Sequence, residues 1–314
     1  MPSFSEHTES EVKHTEWNAQ IRIYLGKLFR IFWNENSWKV FPMAAIVSAL
    51  VAAVCNNVFV NMEGTQVGAL AFACVCIWNG FFNSIQSVCK ERPIIKREHR
   101  AGMHISSYIL AHMIYQAIIC FVQTLIQIGV YALFRFPFPS AGPATGIFLV
   151  DFAITLFIIS YAADMLALMV SCIVKSTTAA MTVVPFLLII QLIFSGVAFQ
   201  LQGVADKVSN LTISRWGIRT ICTVANYNSL PSVTLWAAVN RLTTIPEVML
   251  VYKYIRETEI WNVIGEASRN NLRNPNYVFT RTNVLTEWGI MILMAAVFAF
   301  AGALFLRNID KDGR

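Results

Sequence analysis

Six long apolar runs restrict this chain more than any other feature: residues 41–60, 67–89, 108–134, 145–174, 179–199 and 286–306. Each reaches the length of about 20 residues that a helix needs to cross the hydrocarbon of a bilayer. Lipid offers no hydrogen bonds, so continuous apolar segments of this length satisfy their backbone as helices. Composition agrees. The chain is 56% hydrophobic and 13% charged, whereas a soluble domain carries about 25% charge. The expected fold class is all-α and polytopic. It has six transmembrane helices, an N-terminal interfacial amphipathic helix and a large extracytoplasmic insertion before the last helix. The 145–174 run is long enough to tilt or break.

Basic residues set the orientation. Five Lys or Arg fall in residues 1–40, five in 90–107, one at Lys175 and three after Leu306. On the opposite side the loop 61–66 has none, and 135–144 has only Arg135. Both termini and the 90–107 loop are therefore expected in the cytoplasm of a plasma or inner membrane. The segment 200–285 holds nine basic residues, yet it exceeds the length of about 60 residues over which the charge rule operates. No apolar run precedes residue 41, so no cleavable signal is read. Six of the seven cysteines lie in or beside the runs, where a free thiol acts as a small apolar group. Cys222 lies outside them; a free thiol is favoured there over a bridge to a second subunit.

Residues 1–16 read as a disordered cytoplasmic leader and 17–40 as the interfacial helix. Trp17, Ile21, Tyr24, Leu25, Leu28 and Phe32 recur at helical spacing, with Asn18, Gln20, Arg22, Lys27 and Arg30 between them. Aromatic residues beside Arg and Lys, just before a span, favour a helix lying in the membrane plane over an ordinary linker. In the insertion 200–285, two stretches (214–225 and 230–239) are apolar but too short to span, and are expected to tuck back toward the membrane. Pro246 opens an expected helix to Ala267, with Thr244 as its cap and Pro in its first turn; residues 271–276 read as a loop. Asn210-Leu-Thr is a sequon that matters only in a secretory setting. No repeat, heptad array or nucleic-acid motif is present, and nucleic acid is not an expected partner. No GxxxxGK[ST] phosphate loop occurs, no His/Cys cluster has zinc spacing, and no Ser/His/Asp pattern points to catalysis.

The loop 90–107 stands out in a chain so poor in charge. It is expected to be helical from Ile94 to about Met103, with Pro93 near the first turn. Lys96 and Arg100 are four residues apart and share a face; Arg97 also lies within reach of Arg100. Two plain readings stand beside a functional one: positive-inside bias, or attraction to anionic headgroups.

The order of residues 91–111, "ERPIIKREHRAGMHISSYILA", resembles the first cytoplasmic loop of the G-type (White and pleiotropic drug resistance) ABC exporters, a group of type-2 ABC transporters. Glu91-Arg92, Arg97-Glu98, Gly102-Met103 and Tyr108 carry the match. "LIFSGVAF" (192–199) resembles that family's fifth-span ending, and "ISRWGIRTICTVANYNS" its re-entrant outer region. The resemblance implies a permease that forms half of a translocation pathway, and therefore a dimer, with a homodimer favoured over a heterodimer. It implies that the loop is a coupling helix docking on an ATP-binding cassette through Glu91, Arg92, Lys96, Arg97, Glu98, Arg100, Gly102 and Met103. Family members usually carry the cassette on the same chain. Here only about 40 residues precede the first run, so the expectation is a separate cassette protein, with a fragment of a fused transporter as the alternative. ATP and Mg²⁺ would act on that partner, and this chain holds no cofactor.

Within the runs, Asn79, Asn83 and Gln86 share one helix face, as do Gln116, Gln123 and Gln127 on the next run. They read as interhelical glue or as lining of a cargo cavity. Asp151 and Asp164 lie about 20 Å apart on a continuous helix and form no close pair. Asp151 is expected at the outer interface; Asp164 needs a partner or a proton. A non-transporting scaffold or sensor coupled to an ATPase, and an ATP-independent carrier or channel, remain as rival functions.

Overall fold

The computed structural model describes residues 16–55, 57–199, 201–232 and 245–307. Among these residues helix is the only regular secondary structure. Helix α1 is Trp17–Asn34; a 3₁₀ turn at Ser37–Lys39 leads into α2, Val40–Val54. Then come α3 (Met62–Ser84), α4 (Ser87–Arg100), α5 (Ile105–Leu133), α6 (Phe148–Ile173) and α7 (Thr177–Ile193). Short helices α8 (Val204–Ser209) and α9 (Ile213–Val224), then α10 (Pro246–Glu257) and α11 (Ile260–Leu272), precede α12 (Arg281–Arg307). The leader, the greater part of the 230–239 stretch and Thr244 lie outside the described residues.

Five segments are long and apolar enough to cross a membrane: Ser37–Val54, Met62–Arg100, Ile105–Leu133, Phe148–Ile173 and Arg281–Arg307. The fifth run forms a helix of 17 residues, α7. It stops at Ile193 although the apolar sequence continues to Phe199, because Ser195 and Gly196 turn the chain, the latter at φ +78°. The first run likewise ends early, at Val54. Phe59 then takes φ +64°, a left-handed conformation that costs a non-glycine residue about 1–2 kcal/mol. Its ring is gripped by Phe148 (centroids 5.0 Å apart), Phe152, Phe72 and Phe138, and this aromatic cluster offsets the strain.

Helix α6 is the centre of the bundle and packs on α3, α5, α9 and α12. It is apolar around most of its circumference, as a largely buried helix is, and Phe152, Leu156, Ile159 and Met165 are fully buried. Helix α3 begins with Asn61, whose Oδ1 accepts the Gly64 amide at 2.7 Å. Its closest approach to α6 is at Gly80, where any Cβ would collide with the Ser160 carbonyl and the Asp164 amide nitrogen.

The tucked-back expectation for 214–225 corresponds to α9. Twelve residues span only about 18 Å, and the helix is wedged against α3, α6 and α12 with Ile213, Ile221 and Cys222 fully buried. Cys222 is thus a buried free thiol rather than a surface one. The single helix expected over 246–267 is instead two. Thr258 breaks it with an extended backbone, its hydroxyl donating to the Tyr254 and Ile255 carbonyls, a local bond that competes with helix continuation. Helix α11 then runs on through Leu272, into the expected loop.

Candidate functional site

The charged loop folds as α4, and its boundaries differ from the expected ones for a physical reason. It starts at Ser87, not Ile94, so Pro93 sits inside the helix. The orphan N–H groups of a helix's first turn need acceptors, usually a side chain just upstream. Here the acceptor comes from α6: Ser171 Oγ receives both the Val88 and Cys89 amides at 3.1 Å. The favour is returned at the end of α6. Arg92 donates to the carbonyls of Cys172 (3.0 Å) and Val174 (2.8 Å), closing the terminus where unpaired carbonyls and the helix dipole attract a cation. Each helix caps the other.

The C-terminus of α4 is closed locally. Gly102 takes φ +101°, and the amides of Gly102 and Met103 donate back to His99 and Glu98. This is the glycine-terminated Schellman arrangement. It stops the helix at Arg100, short of the expected Met103, and buries Met103.

Helix α1 clasps the other flank of α4. The face carrying Trp17, Gln20, Tyr24 and Lys27 meets α4 and the start of α5. Lys27 Nζ lies 3.2 Å from Glu91 and 3.6 Å from Glu98, two acids seven residues apart and hence on one face. The Tyr24 hydroxyl donates to Glu98 at 3.1 Å. Its burial, and then the Glu98 charge, raise the Tyr24 pKa above the ordinary value, so the phenol stays a donor. Gln20 brackets the turn, accepting from the His104 amide at 2.9 Å and donating to the Gly102 carbonyl. Trp17 donates to Ser106 at 3.0 Å, and Lys90 pairs with Glu35 at 2.5 Å.

Of the eight residues expected to meet a partner, Glu91, Arg92, Glu98, Gly102 and Met103 are among those that make contacts within the chain. The outward face holds Pro93, Ile94, Arg97 and Arg100, all exposed, with Lys96 half-buried beside it. Sequence reasoning did not find Ser171, Tyr24, Lys27 or Gln20 as members of this site. Only the i, i+4, i+7 spacing of Gln20, Tyr24 and Lys27 on α1 carried a signal.

The polar residues of the spans lie in the seam between α3, α5 and α6. Asn83 and Gln123 exchange amide hydrogen bonds at 2.8 and 3.1 Å. Gln127 donates to Tyr131, and the Cys120 thiol donates to Asp164 at 3.4 Å. Asn79, Gln116, Gln123, Gln127 and Asp164 are buried, Asn83 is half-buried and Gln86 is exposed. Asp151, in the first turn of α6, is fully buried, because the loop before α6 folds over it and donates the Ala144 and Thr145 amides to its carboxylate at 2.8 and 3.0 Å. The outer face of α3 instead carries Trp78 and Phe82, exposed and in contact at 5.0 Å. Among the described residues no group of three His, Cys, Asp or Glu could hold a metal ion.

These features define an integral membrane protein whose charged helix α4, at one end of the bundle, is tied to both α1 and the central span. The chain belongs to the ABC-2 type transporter family, whose profile matches residues 19–221, from α1 into α9. No curated protein matches it. It is accordingly a permease subunit of an ABC transporter, and membership implies work with an ATP-binding cassette protein.

Proposed function

We propose that this permease serves an ATP-driven exporter of the G-type kind, works as a dimer, and is driven by a separate cassette protein that docks on α4 from the cytoplasm, where both termini also lie. ATP and Mg²⁺ act on the cassette. One observation carries the reading. Helix α4 is fastened on two sides, to α6 through Ser171 and Arg92 and to α1 through Lys27 and Tyr24, while a face of Pro93, Ile94 and Arg97 is left outward. A push on that face is transmitted to α1, α3 and α6 because none of these contacts can be kept if α4 moves alone. Arg97 makes no ion pair among the described residues, so its charge is available to an acidic surface.

The polar residues of the spans support the dimer. Asn83, Gln123, Gln127 and Asp164 bond within the α3–α5–α6 seam, and the pathway then forms between subunits, with Trp78 and Phe82 as its aromatic lining. Apolar or amphipathic cargo fits such a lining. Arg97→Glu, in the permease expressed with its cassette and reconstituted in vesicles, is expected to lower transport per ATP hydrolysed at least tenfold while the melting temperature is unchanged. Wild-type coupling in that variant would remove α4 from the mechanism.

A further inference from the structure

Where α1 turns into α2, a cavity of about 290 Å³ opens between α1, the Ser37–Lys39 turn, the α3–α4 junction and α5. Its inner end is polar and unfinished. His112 and Gln116 line it and are each 1% exposed. Neither ring nitrogen of His112 has a hydrogen-bond partner among the described residues, nor has Gln116 Oε1; Gln116 Nε2 is already committed to the Asn83 carbonyl at 3.2 Å. A buried polar atom left unpaired costs about 1–3 kcal/mol. Three converging on one cavity point to a ligand that supplies both donors and acceptors.

The mouth is charged. Lys90 is paired with Glu35, and Glu91 is held by Lys27. Lys39 also lines the mouth and makes no ion pair among the described residues, so one positive charge is uncompensated. Leu28, Ile31, Phe32, Phe82 and Ile119 make the remaining walls apolar. Phe32 and Ile119 are shared with a second groove of about 510 Å³, lined chiefly by Phe29, Trp33, Phe41, Ile118 and Val122. A hydrogen-bonding chamber with one free cation thus adjoins an apolar groove, at the level where the membrane-plane helix lies.

We propose that the two cavities together form a site for one glycerophospholipid of the leaflet beside α4. Its phosphate meets Lys39, a donor-bearing headgroup reaches Gln116 and His112, and an acyl chain fills the groove behind Phe32. An ammonium or polyol headgroup satisfies Gln116 Oε1; a trimethylated choline has no N–H or O–H to give it. The site requires only that the chain sit in a bilayer, and so stands apart from the coupling role of α4.

The test is native mass spectrometry of the permease, with whatever cassette accompanies it, stripped of lipid in mild detergent. Phosphatidylethanolamine, phosphatidylglycerol and phosphatidylcholine are titrated separately. The first two are expected to bind at one molecule per chain at least tenfold tighter than the third. Gln116→Leu combined with His112→Phe should erase that preference, and Lys39→Ala, a surface change that leaves the fold intact, should weaken the first two about tenfold. Soluble glycerophosphoethanolamine should not compete, since it lacks the chain that the groove takes. Equal binding of all three lipids, an unaffected Lys39→Ala variant, or full competition by the soluble headgroup would overturn the proposal.

Discussion

At the scale of single residues, the structure assigns large effects to positions that look ordinary. Gly80 and Gly129 are both helical glycines in spans, yet their surroundings are opposite. A Cβ at Gly80 strikes the α6 backbone, whereas one at Gly129 meets nothing within 4 Å. Gly80→Ala is expected to separate α3 from α6 and to cost several kcal/mol, by the overpacking that a close-packed interior does not absorb. Gly129→Ala should gain about 0.5–1 kcal/mol from helix propensity. Thermal unfolding of the two variants in detergent checks the contrast, and equal melting temperatures would contradict it. Arg92→Met keeps the aliphatic stem but removes the donors to Cys172 and Val174. A charged hydrogen-bond donor of this kind contributes about 1.5 kcal/mol where partly exposed, so the same assay should record a drop of a few degrees.

At the scale of elements, sequence and structure agree where the signal is local and part where it is not. Helix α1 was legible because its aromatic and aliphatic residues recur at helical spacing next to basic ones, and α5 and α6 because long apolar runs have one stable solution in lipid. The start of α4 was not legible, since its cap is a serine more than 80 positions away. Nor was the face of α4 that turns inward: Glu91 and Glu98 look like docking acids until Lys27 is brought between them. Asn79, Gln116, Gln123 and Gln127 turn into the bundle while Gln86 is exposed, and a helical wheel does not say whether a polar face meets another helix or water. The clasp between α1 and α4 makes its own prediction. The raised pKa of Tyr24 means that its bond to Glu98 is intact below about pH 10, the ordinary tyrosine value, and is lost as the pH rises through the higher folded value. Wild type should therefore lose stability relative to Tyr24→Phe only above about pH 10. A gap between their melting temperatures that is constant from pH 7 to pH 11 would show that the hydroxyl is not held this way.

At the scale of the whole molecule, the bundle presents an aromatic exterior. Trp78 and Phe82 stand side by side on the open face of α3, and Phe186 is exposed on α7. Trp78→Ala is expected to reduce transport at least tenfold in vesicles while leaving basal ATP hydrolysis by the complex within twofold. Preserved transport would move the pathway away from this face.

The mutual capping of α4 and α6 has a thermodynamic consequence. A helix end that is completed only by another helix cannot shift without exposing bare amides on one side and bare carbonyls on the other, so the joint favours discrete arrangements over a continuum. Two sites linked through such a joint must influence each other equally. If the motor's grip changes the permease's affinity for cargo by some factor, cargo must change the strength of that grip by the same factor. Equilibrium titrations run from either end of the molecule should then return one number.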